Sequence, residues 1–140
     1  MSDSDRWSQQ ATVEDVPHIR DFVGDAGRRL AASADVVFRL SLVADEICTN
    51  TILHGYGGDP GLIDVQVHAA GDGLSLIVRD EAPFFDPTTV PIADVSQPLE
   101  ERDTGGMGLL LVLRLVDRMT HRDRGGGNEL VVTIQDRAAG

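Results

Sequence analysis

The chain has 140 residues, 41% apolar and 25% charged, with a formal net charge of −11 from 12 basic and 23 acidic side chains. That length suits one domain with a substantial core, and the acidic balance disfavours nucleic-acid and anionic-membrane partners. A lone cysteine, Cys48, excludes an internal disulfide.

The opening MSDSDRWSQQ is polar and lacks the apolar run of a signal peptide. The longest apolar stretch, 108–116, is too short to span a bilayer and is interrupted by Arg114. A cytoplasmic location is therefore expected. No internal repeat is evident.

Residues 6–13 read as a first strand. A helix start follows at 13–17, with Glu14 and Asp15 early and Pro17 tolerated in the first turn. Its continuation to 32 places Ile19, Phe22, Val23, Ala26 and Leu30 on one buried stripe. Ser33 or Asp35 can cap a second helix, expected over about 36–54, which a glycine-rich loop at 55–61 ends.

Residues 62–69 alternate as a strand, with Ile63, Val65 and Val67 on one side. Gly71-Asp72-Gly73 signals a tight turn, and 74–79 forms the return strand, ending at Asp80. The stretch 81–105 has no period and holds Pro83, Pro87, Pro91 and Pro98, which marks a functional loop or lid. Residues 108–119 read as an apolar helix, and 130–134 as a last strand paired with one near 119–122. This order predicts an α+β two-layer sandwich in one domain: a mixed, mostly antiparallel sheet with helices on one face.

Three constellations could carry chemistry. Glu46 and Asn50 lie four apart and share a helix face, with His54 one further turn on. Asn50 offers a neutral oxygen suited to Mg²⁺, and Glu46 can take a proton from a hydroxyl beside a phosphate. Asp80 ends an apolar strand, where its carboxylate can accept a hydrogen bond from an exocyclic amine such as that of adenine. The third is Thr104-Gly105-Gly106-Met107-Gly108-Leu109, where glycines let backbone amides approach an anion ahead of a helix. It is not a P-loop, because no Gly-Lys-Ser/Thr follows. Taken singly, the three also fit a solvated helix face, a plain turn and a hinge. Cys48 is expected to pack in the core, Arg20 to be a solvated charge, and Arg102 to reach a terminal phosphate.

In order and spacing together, the three resemble the GHKL ATPase superfamily of gyrase, histidine kinases and MutL. Within it the chain is most similar to the anti-sigma-factor serine/threonine kinases. Glu46, Asn50, His54 and Tyr56 match E-x-x-x-N-x-x-x-H-x-Y. Asp80, Phe85, Asp86 and Pro87 match D-x-G-x-P-F-D-P, with departures at Ala82 and Phe84. Gly105, Gly106, Gly108, Leu109, Leu111 and Val112 match the glycine box, and Asn128 and Leu130 a closing N-x-L strand.

The resemblance implies a Bergerat-type ATP-binding fold with a lid at 81–105. It implies Glu46 as general base, Asn50 on Mg²⁺ and Asp80 on adenine. Gly105, Gly106 and Gly108 would cradle the phosphates of ATP. His54, Ala82, Phe85, Arg102, Thr104, Met107 and Leu109 complete the expected nucleotide contacts. The implied activity is phosphorylation of a small anti-sigma-factor antagonist by a homodimeric kinase that sequesters a sigma factor. Two alternatives fit the same boxes: a nucleotide-dependent binding module without catalysis, and a detached histidine-kinase ATPase domain.

Overall fold

The computed structural model describes residues 4–83 and 111–137. Strand β1, Ser4–Ala11, leads through Thr12 into a 3₁₀ turn at Val13–Asp15. Asp15 Oδ2 accepts from the Thr12 backbone N–H at 2.8 Å, a capping contact that starts the chain into helix α1, Val16–Arg29. Pro17 sits in the first turn of α1, where its missing N–H costs nothing.

The end of α1 is a Schellman motif: Ala32 N–H bonds Gly27 O at 3.1 Å and Ala31 N–H bonds Arg28 O at 3.0 Å. The motif needs a left-handed residue, and Ala31 supplies it at φ 63. Helix α2, Ala34–Asn50, then starts from Ser33, whose side chain accepts from the Val36 N–H at 3.3 Å.

Strands β2, Gly61–Ala70, and β3, Gly73–Asp80, form the expected hairpin. Strands β4, Arg118–Asp123, and β5, Asn128–Ile134, complete one sheet in the order β1-β2-β3-β5-β4. All four described pairings are antiparallel.

Alternation decides which face is covered. Ile63, Val65 and Val67 of β2, Leu74, Leu76 and Val78 of β3, and Leu130, Val132 and Ile134 of β5 are all buried. They pack with Ile19 and Val23 of α1 and with Leu40, Val43 and Ile47 of α2 in one core. The other sheet face carries charged pairs such as Arg79 Nε to Glu129 Oε2 at 2.7 Å. Trp7, without an assigned role in the sequence, packs half-buried against the core from β1.

The helix expected over 108–119 is shorter at its end. Residues 111–115 are helical, and Met119 belongs to β4. Arg39 of α2 ends the helical run by donating to Leu115 O at 3.0 Å. Two residues later, the Asp117 N–H already bonds Thr133 O at 3.0 Å, which starts the sheet pairing.

Candidate functional site

The last turn of α2 is unusual. Beyond Asn50 the backbone widens into a π-helical turn, Thr51–Gly55. Such turns are rare and recur at functional sites because they re-aim side chains at a helix end. Asn50 stands at the junction and Thr51 is buried, its hydroxyl donating to Ile47 O at 2.9 Å.

Tyr56 follows and ties this end of the helix to the sheet. Its hydroxyl donates to Leu62 O at 2.6 Å and accepts from the Glu81 N–H at 2.7 Å. Only glycine fits at 61, because a Cβ there would lie 2.3 Å from the Tyr56 ring. Tyr56 thus fixes α2's end relative to the residue directly after Asp80, a role that the motif match alone does not reveal.

Across from Asn50, Asp80 ends β3 on the core face of the sheet and is buried. Its Oδ1 accepts from the Ala82 N–H at 3.0 Å and from Asn128 Nδ2 at 2.9 Å. Burial pushes the Asp80 carboxyl above the ordinary aspartate range, while these hydrogen bonds favour its charged form and oppose that rise. Gly127 permits the crowding, since a Cβ there would sit 1.9 Å from Asp80 O.

Asn50 and Asp80 line one pocket together with Ile47, Val78, Met119 and Asn128. Apolar walls with a few convergent polar groups are the usual form of a ligand site. The pocket is partly open, and as it stands it has about 20 Å³ of free space, room for about one water.

Glu46 lies one turn before Asn50 and is half-buried. Burial, with the charge of Asp45 beside it, pushes its carboxyl upward, toward values where a carboxylate accepts protons more readily. Asp45 itself turns to α1 and pairs with Arg20 Nη1 at 3.0 Å, a surface ion pair in which Arg20 stays exposed, the solvated charge that the sequence suggested.

Cys48 is fully buried, and burial pushes its thiol up to about 12, which keeps it an apolar packing group. His54 is exposed, in the π-helical turn. Ala82 is buried and borders a neighbouring groove with Glu81, Pro83, Asp123 and Gly127. Phe85, Arg102, Thr104, Gly105, Gly106, Met107, Gly108 and Leu109 lie outside the described residues, as does most of the 81–105 segment.

Two pocket residues had no signal in the sequence reading. His121 and Met119 project from β4 beside Asn128. An edge strand reading RMTHRD carries no apolar alternation, so its inward face becomes legible only from its register with β5.

A family profile described as "Histidine kinase-like ATPase domain" matches residues 9–134. The serine-protein kinase RsbW of Halalkalibacterium halodurans is 29% identical over 134 residues, which covers 86% of this chain and 82% of that one. RsbW of Bacillus cereus strain Q1 is 30% identical over 111 residues, covering 76% and 69%. Among solved structures, the RsbU and RsbW domains of a Mycobacterium tuberculosis protein superpose with a TM-score of 0.67 at 19% identity. That match covers 96% of this chain and 32% of the other, so the chain spans about a third of that protein, and the likeness is one of fold.

Proposed function

The chain belongs to the histidine kinase-like ATPase domain family, and from that premise we propose that it is an ATP-dependent protein serine/threonine kinase acting as an anti-sigma factor. It moves the terminal phosphate of ATP to a serine or threonine of a small antagonist protein and sequesters a sigma factor. One observation carries this reading: Asn50 of α2 and Asp80 of β3, distant in sequence, line a single pocket.

In that pocket Asp80 takes the exocyclic amine of adenine. With Oδ1 held by Asn128 and Ala82, the other carboxylate oxygen is the one presented to the base. Asn50 supplies a carbonyl oxygen for Mg²⁺, an ion that keeps several waters and is held by one or two protein groups plus substrate phosphates. That preference suits a site without a cluster of three or more acidic, His or Cys ligands among the described residues. When bound, Mg²⁺ neutralises charge on the phosphates.

Glu46 takes the acceptor hydroxyl's proton as that oxygen bonds the γ-phosphorus and the bond to ADP's bridging oxygen breaks, a role that its burial-raised carboxyl supports. The glycine box at 105, 106 and 108 and Arg102 are assigned to the phosphates on their motif alone. His54 and Phe85 are assigned to the rim of the nucleotide site in the same way. A homodimer in the cytoplasm completes the proposal. No helix among the described residues is long and apolar enough to cross a membrane.

The test is transfer of labelled phosphate from Mg·ATP to the cognate antagonist. Transfer that needs Glu46 supports the reading. Unchanged transfer by Glu46→Ala removes Glu46 from the role of base, and tight partner binding without any transfer would favour a sequestering module instead.

A further inference from the structure

The hydrogen bonds around Tyr56 replace one rung of the sheet. Ala70 and Gly73 close the two-residue turn at 71–72, and the pair that closes such a turn is hydrogen-bonded. Bonded and non-bonded pairs alternate along an antiparallel ladder. Asp64 and Arg79 are therefore a bonded pair, and Leu62 and Glu81 stand where the next one belongs. The β2–β3 pairing nevertheless stops at Ile63 and Asp80. Where the Glu81 N–H would meet Leu62 O, the Tyr56 hydroxyl lies between them, 2.7 Å from the nitrogen and 2.6 Å from the oxygen. By accepting from one and donating to the other, it carries the rung at one oxygen's remove. Burial raises the Tyr56 phenol, which keeps the donated proton in place.

We propose that Tyr56 is a positioning residue for nucleotide binding: its hydroxyl holds the exit of β3 one oxygen away from β2 and ties it to the end of α2, which sets the spacing of the two pocket walls that Asp80 and Asn50 occupy. The inference rests on the nucleotide-pocket reading and adds to it the group that fixes the pocket's width. At one end of the tie, the Tyr56 N–H bonds Thr51 O at 2.9 Å, which anchors the residue to the π-helical turn directly after Asn50. At the other end, Glu81 lies between Asp80 and Ala82, whose N–H turns back to Asp80 Oδ1 at 3.0 Å. Asn128 directs the Asp80 carboxylate from β5, whereas Tyr56 sets where the backbone carrying that carboxylate stands relative to α2. Without the hydroxyl, the Glu81 N–H turns to water or closes on Leu62 O directly. Either way, residue 81 loses its tie to α2.

The experiment measures Mg·ADP affinity by calorimetry for wild type, Tyr56→Phe, Asp80→Asn and the double variant, with urea unfolding to confirm that each is folded. Tyr56→Phe removes the hydroxyl alone and should lose about tenfold in affinity. That loss comes from displacing Asp80 relative to the base, so the same change made in Asp80→Asn should lose no more than about twofold. A merely structural hydroxyl would give equal losses in the two backgrounds. Wild-type affinity in Tyr56→Phe, or equal losses in both backgrounds, overturns this inference and leaves the pocket reading standing. If wild type does not bind Mg·ADP, the pocket reading falls and takes the inference with it. Tyr56 is the chain's one tyrosine, so 3-fluorotyrosine labels it alone. Should Tyr56→Phe not fold, fluorine NMR of the labelled wild type decides. A resonance that shifts and saturates with Mg·ADP supports the proposal, and one unmoved at saturation contradicts it.

Discussion

Asp80 and Asn128 are cross-strand partners on β3 and β5, and their side chains share a 2.9 Å hydrogen bond on the covered face of the sheet. Asp80→Asn keeps the shape and removes the charge. Losing a hydrogen bond to a charged group costs roughly 1.5–3 kcal/mol, so Mg·ADP affinity should fall about tenfold to hundredfold. Calorimetry reads the loss, and circular dichroism should show the fold retained.

The pH dependence of the same carboxylate has opposite signs for stability and for binding. Burial raises the folded pKa of Asp80 above its unfolded value. Its contribution to stability is therefore fully present below the unfolded value and is lost as pH rises through the raised folded one. The stability of wild type relative to Asp80→Asn should decline across that window and stay level above it. Mg·ADP affinity, which needs the ionised carboxylate, should rise over the same window. Asp117 and Glu129, held low by hydrogen bonds from the Gln135 N–H and the Arg79 side chain respectively, act the other way and lose their contribution as pH falls. Denaturant unfolding and calorimetry across acidic pH check both signs.

Ala31 occupies a left-handed position at φ 63 that the cap of α1 demands. A Cβ in that region costs roughly 1–2 kcal/mol, part of which glycine gives back through its freer unfolded chain. Ala31→Gly should thus stabilise the protein by about 1 kcal/mol. Urea unfolding measures it as a raised midpoint at constant slope.

Arg39 is buried yet bonds four groups on three segments. Nη2 donates to Asp35 Oδ2 at 2.7 Å and to Gln135 O, and Nη1 donates to Leu115 O at 3.0 Å and Asp117 Oδ2 at 3.5 Å. Arg39→Ala strips donors from the end of helix 111–115 and from the exit of β5, and should cost about 3 kcal/mol. Arg39→Lys should recover only a part, because one ammonium cannot span all four acceptors. Thermal and denaturant melts of the two variants test this.

Much of this site was legible in the sequence. The alternation of Ile63, Val65 and Val67 fixes which face of β2 is covered, and it carries Asp80 inward on β3 because register alternates strictly. The spacing of Glu46 and Asn50 is likewise a property of any helix. What stayed hidden depends on contacts between distant segments. His121 lies on an edge strand without apolar rhythm, and its inward face follows from pairing with Leu130. The 108–119 stretch read as helix to its end because apolar residues continue, whereas tertiary bonds from Arg39 and Thr133 stop it.

The central claim is that one nucleotide lies between the end of α2 and the ends of β3 and β5. Side-chain amide signals of Asn50 and Asn128, followed by ¹H–¹⁵N NMR during titration with Mg·ADP, report on both walls at once. The account predicts that both shift together and saturate at one ligand concentration. Saturable shifts confined to other parts of the protein, with both amides unmoved, would contradict it.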